Sequence, residues 1–280
     1  MMYVSVWPSE DLSRRQRSHG RIALTVQRFG SVTRVAQLHE SGPSRLRLPR
    51  IGGDGLEAVL INTGGGIASG DRYDMDFEVR PGAQLTVTTP GAEKVYRSEG
   101  PLARMAVGMT VAEDASLAWL PQETILFNEA RLKRSFDVDL DPTSRFLMAE
   151  LTVFGRAAFA EEQVTTGHFE DRWRIRRGGR LLYADTLRFT GPISEWLARP
   201  SVAAGAKAMA TVLYVAPDAE GRLEETRAIL EQAAPAAAAT AWNGMLIARF
   251  LSPTIAELRR HVVHFVTRLR SQSMPRVWQT

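Results

Sequence analysis

Apolar and polar side chains alternate with period two along much of the chain, the pattern of strands that bury one face. Residues 21–28 and 31–38 read as two such strands around a Phe29-Gly30 turn. A short strand at 45–49 and an apolar one at 56–61 follow. Alternation returns at 74–80, 84–89, 105–111, 116–120 and 134–140, and longer strands at 145–154, 168–175 and 181–189. Pro81-Gly82, Glu113-Asp114, Asp141-Pro142 and Gly178-Gly179 punctuate them as turns. No strand–helix–strand rhythm appears, which excludes Rossmann and TIM-barrel architectures.

Three related phrases mark a repeat. Arg80-Pro-Gly-Ala-Gln-Leu-Thr-Val is echoed by Ala112-Glu-Asp-Ala-Ser-Leu-Ala-Trp and, more weakly, by Leu140-Asp-Pro-Thr-Ser-Arg-Phe-Leu, about 30 residues apart. Each runs strand, turn, small residue, strand. Helical patterning comes late. Residues 223–232 are good helix formers, and 235–241 read as helix or linker. Residues 244–251 read as a buried strand. Ser252 then offers a cap and Pro253 a first turn, before a stripe of Ile255, Leu258, Val262, Phe265, Val266 and Leu269. The pattern is all-β, of sandwich, barrel or solenoid type, and the repeat fits a β-helix or a stacked β-sandwich. Residues 1–20, polar and Arg-rich, are expected to be a mobile segment. Residues 21–280 are expected to form one domain, because no linker divides them.

Composition narrows the chemistry. The 280 residues include no Cys, which excludes disulfide scaffolds, thiolate zinc sites, iron–sulfur clusters and a cysteine nucleophile. No run approaches the roughly 20 apolar residues of a membrane span, and residues 1–8 lack a signal-peptide pattern. A cytoplasmic protein is expected. The net charge of +4 is uneven: residues 1–50 carry +6, residues 51–150 carry −7 and residues 151–280 carry +5.

Candidate chemistry starts at Asn62-Thr-Gly-Gly-Gly-Ile-Ala-Ser-Gly-Asp71. Gly65 and Gly70 match half of a phosphate loop, but Asp71-Arg72 stands where Lys and Ser or Thr belong, and a carboxylate there repels phosphate. The plainer reading is a tight loop that needs positive φ. Asp74, Asp76 and Glu78 share one strand face without a calcium-loop pattern, which reads as a solvated face. His261 and His264 stand one helical turn apart at the border of the apolar stripe and on its polar side, a surface placement. Arg172, Arg174 and Arg176 alternate with Trp173 and Ile175, giving a hairpin with a charged outer face and Trp173 turned inward, away from base stacking. No nucleophile–base pair or nucleophile elbow is present.

Six phrases, in order, resemble the urease accessory protein family UreD (UreH). They are Asn62-Thr-Gly-Gly-Gly-Ile-Ala-Ser-Gly-Asp-Arg72, Arg80-Pro-Gly-Ala83, Thr88-Thr-Pro-Gly-Ala-Glu-Lys-Val-Tyr-Arg-Ser98, Trp119-Leu-Pro-Gln-Glu-Thr-Ile-Leu-Phe127, Phe154-Gly-Arg-Ala157 and Asp171-Arg-Trp-Arg-Ile-Arg176. They cover roughly residues 18–271. Ser69-Gly70-Asp71 departs from the Gly-Gly-Asp more usual in the family. The resemblance implies an all-β, β-helix-like stack of short strands with two α-helices towards the C-terminus, and a cytoplasmic scaffold for urease maturation, not an enzyme. It implies binding to UreF, recruitment of the GTPase UreG through UreF, docking on urease apoprotein, and no nucleic-acid or membrane partner. No tightly bound cofactor is implied, only Ni2+ in transit. Asp71, Glu93, Glu123, Glu150 and Asp185 are the candidate carboxylates, because oxygen ligands bind a passing divalent ion weakly enough to release it. Glu150 sits in an apolar strand, where an unpaired charge is costly; an Arg partner or a water-lined channel would remove that cost. The structural alternative for each carboxylate is a fold-stabilising salt bridge. A nucleotide-using or hydrolytic enzyme built on the Gly64–Gly70 loop is the competing reading.

Overall fold

In the computed structural model, which describes residues 17–50, 52–156, 164–233 and 236–279, the alternating segments form two sheets. The first seven strands are β1 (His19–Phe29), β2 (Val32–Ser41), β3 (Ser44–Arg47), β4 (Leu56–Asn62), β5 (Arg72–Val79), β6 (Gln84–Thr88) and β7 (Glu93–Val95). Then come β8 (Ala103–Val111), β9 (Ser116–Leu120), β10 (Thr124–Leu126), β11 (Arg131–Leu140), β12 (Arg145–Phe154), β13 (Gly167–Arg177) and β14 (Arg180–Gly191). A short helix, α1 (Ile193–Ala198), precedes β15 (Ala208–Val215). The last elements are α2 (Leu223–Ala233), β16 (Ala237–Trp242), β17 (Met245–Ser252) and α3 (Ile255–Arg270).

The first sheet runs β14-β13-β11-β8-β5-β1-β2, and the second runs β16-β17-β15-β12-β9-β6-β4-β3 with β7 and β10 at its side. From β4 to β13 the chain alternates between the sheets, and each return adds a strand parallel to the last: β1–β5–β8–β11–β13 on one side, β4–β6–β9–β12 on the other. The expectation of a mainly β chain with late helices holds.

The repeated phrases are the crossings between sheets. Ala83, Ala115 and Ser144 each donate their amide back three residues, to the carbonyls of Arg80, Ala112 and Asp141. Successive crossings are then tied together, Ser116 N–H to Ala83 C=O and Arg145 N–H to Ala115 C=O. Leu85, Leu117 and Phe146 fall in lateral register and point into the space between the sheets. Period-two alternation explains why: on β12, Phe146, Met148 and Phe154 face the first sheet, while Leu147, Ala149, Leu151 and Val153 face the helices. Two apolar cores result, one between the sheets and one under α2 and α3.

Some expectations need correcting. β1 begins at His19, inside the segment expected to be mobile, because it pairs with β5 from His19↔Arg72 onward. A side chain on Gly20 would collide with Ser44 and the Tyr73 ring. Residues 1–16 lie outside the described residues. α3 is capped by Thr254, whose hydroxyl accepts from Glu257 N–H at 3.3 Å, rather than by Ser252. Ser252 instead donates to the Glu257 carboxylate at 3.1 Å. The helix buries Leu258, Val262, Phe265, Val266 and Leu269 as the stripe predicts, with Ile255 at its edge. The Ala-rich stretch is neither helix nor linker from Ala237 on: it is β16, paired antiparallel with β17.

Candidate functional site

The apolar layer between the sheets is interrupted by a buried polar cluster. Arg134 occupies the inward phase of β11, between Leu132 and Phe136. Asp171 occupies the same phase of β13, directly opposite it in register. Glu150 comes from β12 of the facing sheet. All three are buried, at 4%, 6% and 4% exposure, so their charges must be met by one another. Arg134 grips Asp171 with two hydrogen bonds, Nε to Oδ1 at 3.0 Å and Nη2 to Oδ2 at 2.8 Å. Its Nη1 donates to Thr124 Oγ1 at 3.1 Å and lies 2.7 Å from Glu150 Oε2. That last contact is an ion contact without hydrogen-bond alignment. Glu150 Oε1 accepts from Trp119 Nε1 at 2.6 Å, and Asp171 Oδ2 from Trp173 Nε1 at 3.2 Å.

One cation thus serves two carboxylates. Burial pushes the Glu150 carboxyl above its ordinary pKa, Arg134 pulls it back, and the Asp171 charge pushes it up again. Burial also opposes the Arg134 charge, but Asp171 and Glu150 hold that guanidinium firmly protonated.

Glu150 borders two cavities. The larger, about 300 Å³, is lined by Asn62, Tyr73, Glu93, Trp119, Arg134 and Glu150 among others. The smaller, about 40 Å³, lies beyond Glu150 and is bounded by Asp171, Trp173 and Asp185. In the larger one, burial raises the Glu93 pKa to about 7, although Asn62 Nδ2 approaches both its oxygens, at 3.3 and 3.4 Å. Asp185 is held at the far side by the Tyr183 hydroxyl at 2.8 Å and by Arg249 at 2.6 Å.

The five carboxylates read from sequence therefore separate. Glu93, Glu150 and Asp185 line the two cavities. Asp71 lines neither. Its oxygens accept from Ser18 N–H at 2.9 Å and Ala68 N–H at 2.8 Å, fastening the glycine loop to the start of β1. Glu123 also lines neither and pairs with Arg259 of α3 at 3.2 Å. Among the described residues no three His, Asp or Glu side chains converge closely enough to hold a metal ion. The cluster lacks the geometry of a fixed metal centre. What it offers is a chain of separate oxygen groups. Arg134 and Asp171 were not singled out from sequence. The available signal was their phase, two charges standing where β11 and β13 otherwise place Leu132, Phe136, Phe169 and Trp173.

The glycine loop does not form a phosphate cradle. A side chain on Gly66 would strike the Tyr96 ring and the Lys94 carbonyl, and Tyr96 Oη donates to Gly65 C=O at 2.8 Å. Gly65 and Gly70 take positive φ, +77° and +75°. Close packing and turn geometry explain the glycines. Elsewhere Trp173 is buried as expected, His264 is exposed and His261 is half-buried. No helix among the described residues is long and apolar enough to cross a membrane.

Comparison with known proteins agrees with the resemblance read from sequence. A family model described as UreD urease accessory protein matches residues 18–279. Urease accessory protein UreD of Xanthobacter autotrophicus is 51% identical over 276 residues, 99% of this chain and 95% of that one. The protein of the same name in Azorhizobium caulinodans is 50% identical over 265 residues, 95% of this chain and 97% of that one. Urease accessory protein UreD 1 of Methylobacterium radiotolerans is 53% identical over 271 residues, 95% of this chain and 93% of that one.

Proposed function

The chain belongs to the UreD family of urease accessory proteins, acting in urease maturation and not as a catalytic enzyme, and from that premise we propose that it passes nickel towards the urease active site through the polar cluster between its sheets. On this reading it works in the cytoplasm, binds UreF, recruits the GTPase UreG through UreF, and docks on urease apoprotein. Its alternating parallel coils are read as a β-helix-like stack, within which the passage runs.

The observation that carries the proposal is the position of Glu150 between two cavities that Glu93 and Asp185 extend on either side. Divalent nickel favours nitrogen and oxygen ligands, and isolated carboxylates hold it loosely enough to let go. A chain with no Cys offers no thiolate to trap it. A Glu93 carboxyl that titrates near 7 can lose its proton as a cation arrives and regain it as the cation leaves. Arg134 supplies a fixed positive charge beside the route, so passage is favoured when both Glu150 and Asp171 are ionised. Asp71 and Glu123 take the structural role that their backbone and Arg259 contacts support.

The test is in vitro activation of urease apoprotein with purified partners, reading nickel per active site. Glu150→Gln keeps the acceptor for Trp119 and removes the charge; Glu93→Gln does the same beside Asn62. Both variants are expected to form the accessory complex normally and to lower nickel content several-fold. Full loading by both variants sinks the passage. Loss of complex formation instead assigns these residues to scaffolding.

A further inference from the structure

A third recess lies at the opposite end of the parallel strands from the cavity that Glu93 lines. It is a groove of about 690 Å³ between the last turn of α3 and the starts of β4, β6, β9 and β12. Its floor is a lateral rung in register, Glu57–Thr86–Ala118–Leu147. Thr86 and Ala118 are small, so the helix end cannot close against the sheet there. α3 stops at Ser271, which adopts φ +53°, and the chain then turns to give the groove an apolar wall at Met274 and Pro275.

The lining is strongly basic. Five arginines border the groove against two carboxylates, Glu57 and Asp218. Arg145 is already engaged by Asp218 at 2.6 Å. Arg222 donates to the Leu269 carbonyl at 2.6 Å, which covers the negative end of α3 and keeps it from repelling an incoming anion. Arg270 contacts Thr86 and Gln272 through Nη2, at 3.4 and 3.2 Å, while its buried Nη1 has no acceptor. Burial lowers the Arg270 pKa, against the nearby Glu57 charge. Arg50 and Arg276 stand exposed on the rim, with no carboxylate in ion-pair range among the described residues.

We propose that this groove is a docking site for an acidic, amphipathic segment of a partner protein, whose carboxylates pair with Arg270, Arg276 and Arg50. An unused buried donor is an unmet bond that an anionic ligand can satisfy. Guanidinium forks match carboxylate geometry, and the rim arginines steer the segment in. Glu57 and Asp218 disfavour a dense polyanion, whereas spaced carboxylates can avoid them. Leu147, Met274 and Pro275 are themselves buried, and with the half-buried Leu56 they leave a shallow apolar surface for side chains set between those carboxylates. The site is independent of the nickel passage and stands or falls without it.

The experiment measures fluorescence anisotropy on the full chain with a labelled peptide of alternating Glu and Leu. A single-stranded oligothymidylate of equal charge is the competing probe. Arg50→Gln/Arg276→Gln alters exposed residues, so the fold is retained; Arg270→Gln is the second variant, checked by its thermal midpoint. Peptide affinity is expected to fall about tenfold in the rim variant, with loss at raised salt because rim charges are screened. Arg260→Gln/Arg268→Gln, on another face of α3, is expected to bind as the parent does. Equal binding by the parent and the rim variant overturns the proposal. So does tighter binding of the oligothymidylate than of the peptide.

Discussion

At the scale of single residues, Arg134 decides whether the polar cluster can exist. Replacing it with Leu leaves Glu150 and Asp171 buried close together with no cation. Removing one partner of a buried ion pair costs about 3–5 kcal/mol, so urea unfolding of Arg134→Leu is expected to show a loss of at least that size. Trp119→Phe removes one donor to Glu150 and is expected to cost about 1–3 kcal/mol. Glu93 gives a pH signature. Its carboxyl is raised from 4.5 to about 7 in the folded chain, so the fold holds that proton more tightly than the unfolded state does. Its stabilising contribution is full below about pH 4.5 and is lost as pH rises to about 7. Unfolding measured at pH 5 and pH 8 should therefore show a smaller drop in Glu93→Gln than in the parent. Glu150 is legible in sequence as a charge in an apolar strand, which calls for either an Arg partner or a water-lined channel. The identity of the partner is not legible, because pairing Arg134 of one sheet with Glu150 of the other depends on how the sheets face each other. Asp71 looked equally interesting in sequence. Only the structure shows that its oxygens are spent on two backbone amides.

At the scale of elements, period two sufficed for most strands and failed where composition argued otherwise. The Ala-rich stretch has high helix propensity, yet it forms β16. Its register with β17 is set by Asn243-Gly244, both at positive φ, the two-residue turn that closes a tight hairpin. That dipeptide was the signal to weigh against the alanines. α1 escaped notice because six residues are too few to show a 3.6-residue period. α3 was legible along its whole buried stripe, but not at its cap, where Ser252 and Thr254 are equivalent by residue type and differ only in geometry. Thr254→Ala is expected to cost about 1 kcal/mol. Phe265→Ala, which empties a fully buried site against Phe250, is expected to cost about 3–5 kcal/mol. Chemical denaturation of both variants checks the ranking.

At the scale of the whole molecule, uneven charge becomes a division of labour. The acidic middle of the chain supplies Glu93 and Glu150 to the interior, while basic residues from both ends, Arg50 and Arg276, meet on the rim of one groove. The parallel stack also bears on how the protein is made. β1 pairs with β5 across 53 positions, Ile22 with Met75, and each later strand waits for one more crossing. Contacts that distant close slowly. Until the antiparallel strands β14 and β15 to β17 end the two series, with β14 and β16 outermost, every newly added coil presents a parallel edge shaped to take one more strand, its own or another chain's. Those last strands act as stoppers on a growing pile. A chain ended after β12 is thus expected to precipitate even when synthesised together with its partner protein, while the full chain made with that partner remains in the supernatant of the translation reaction.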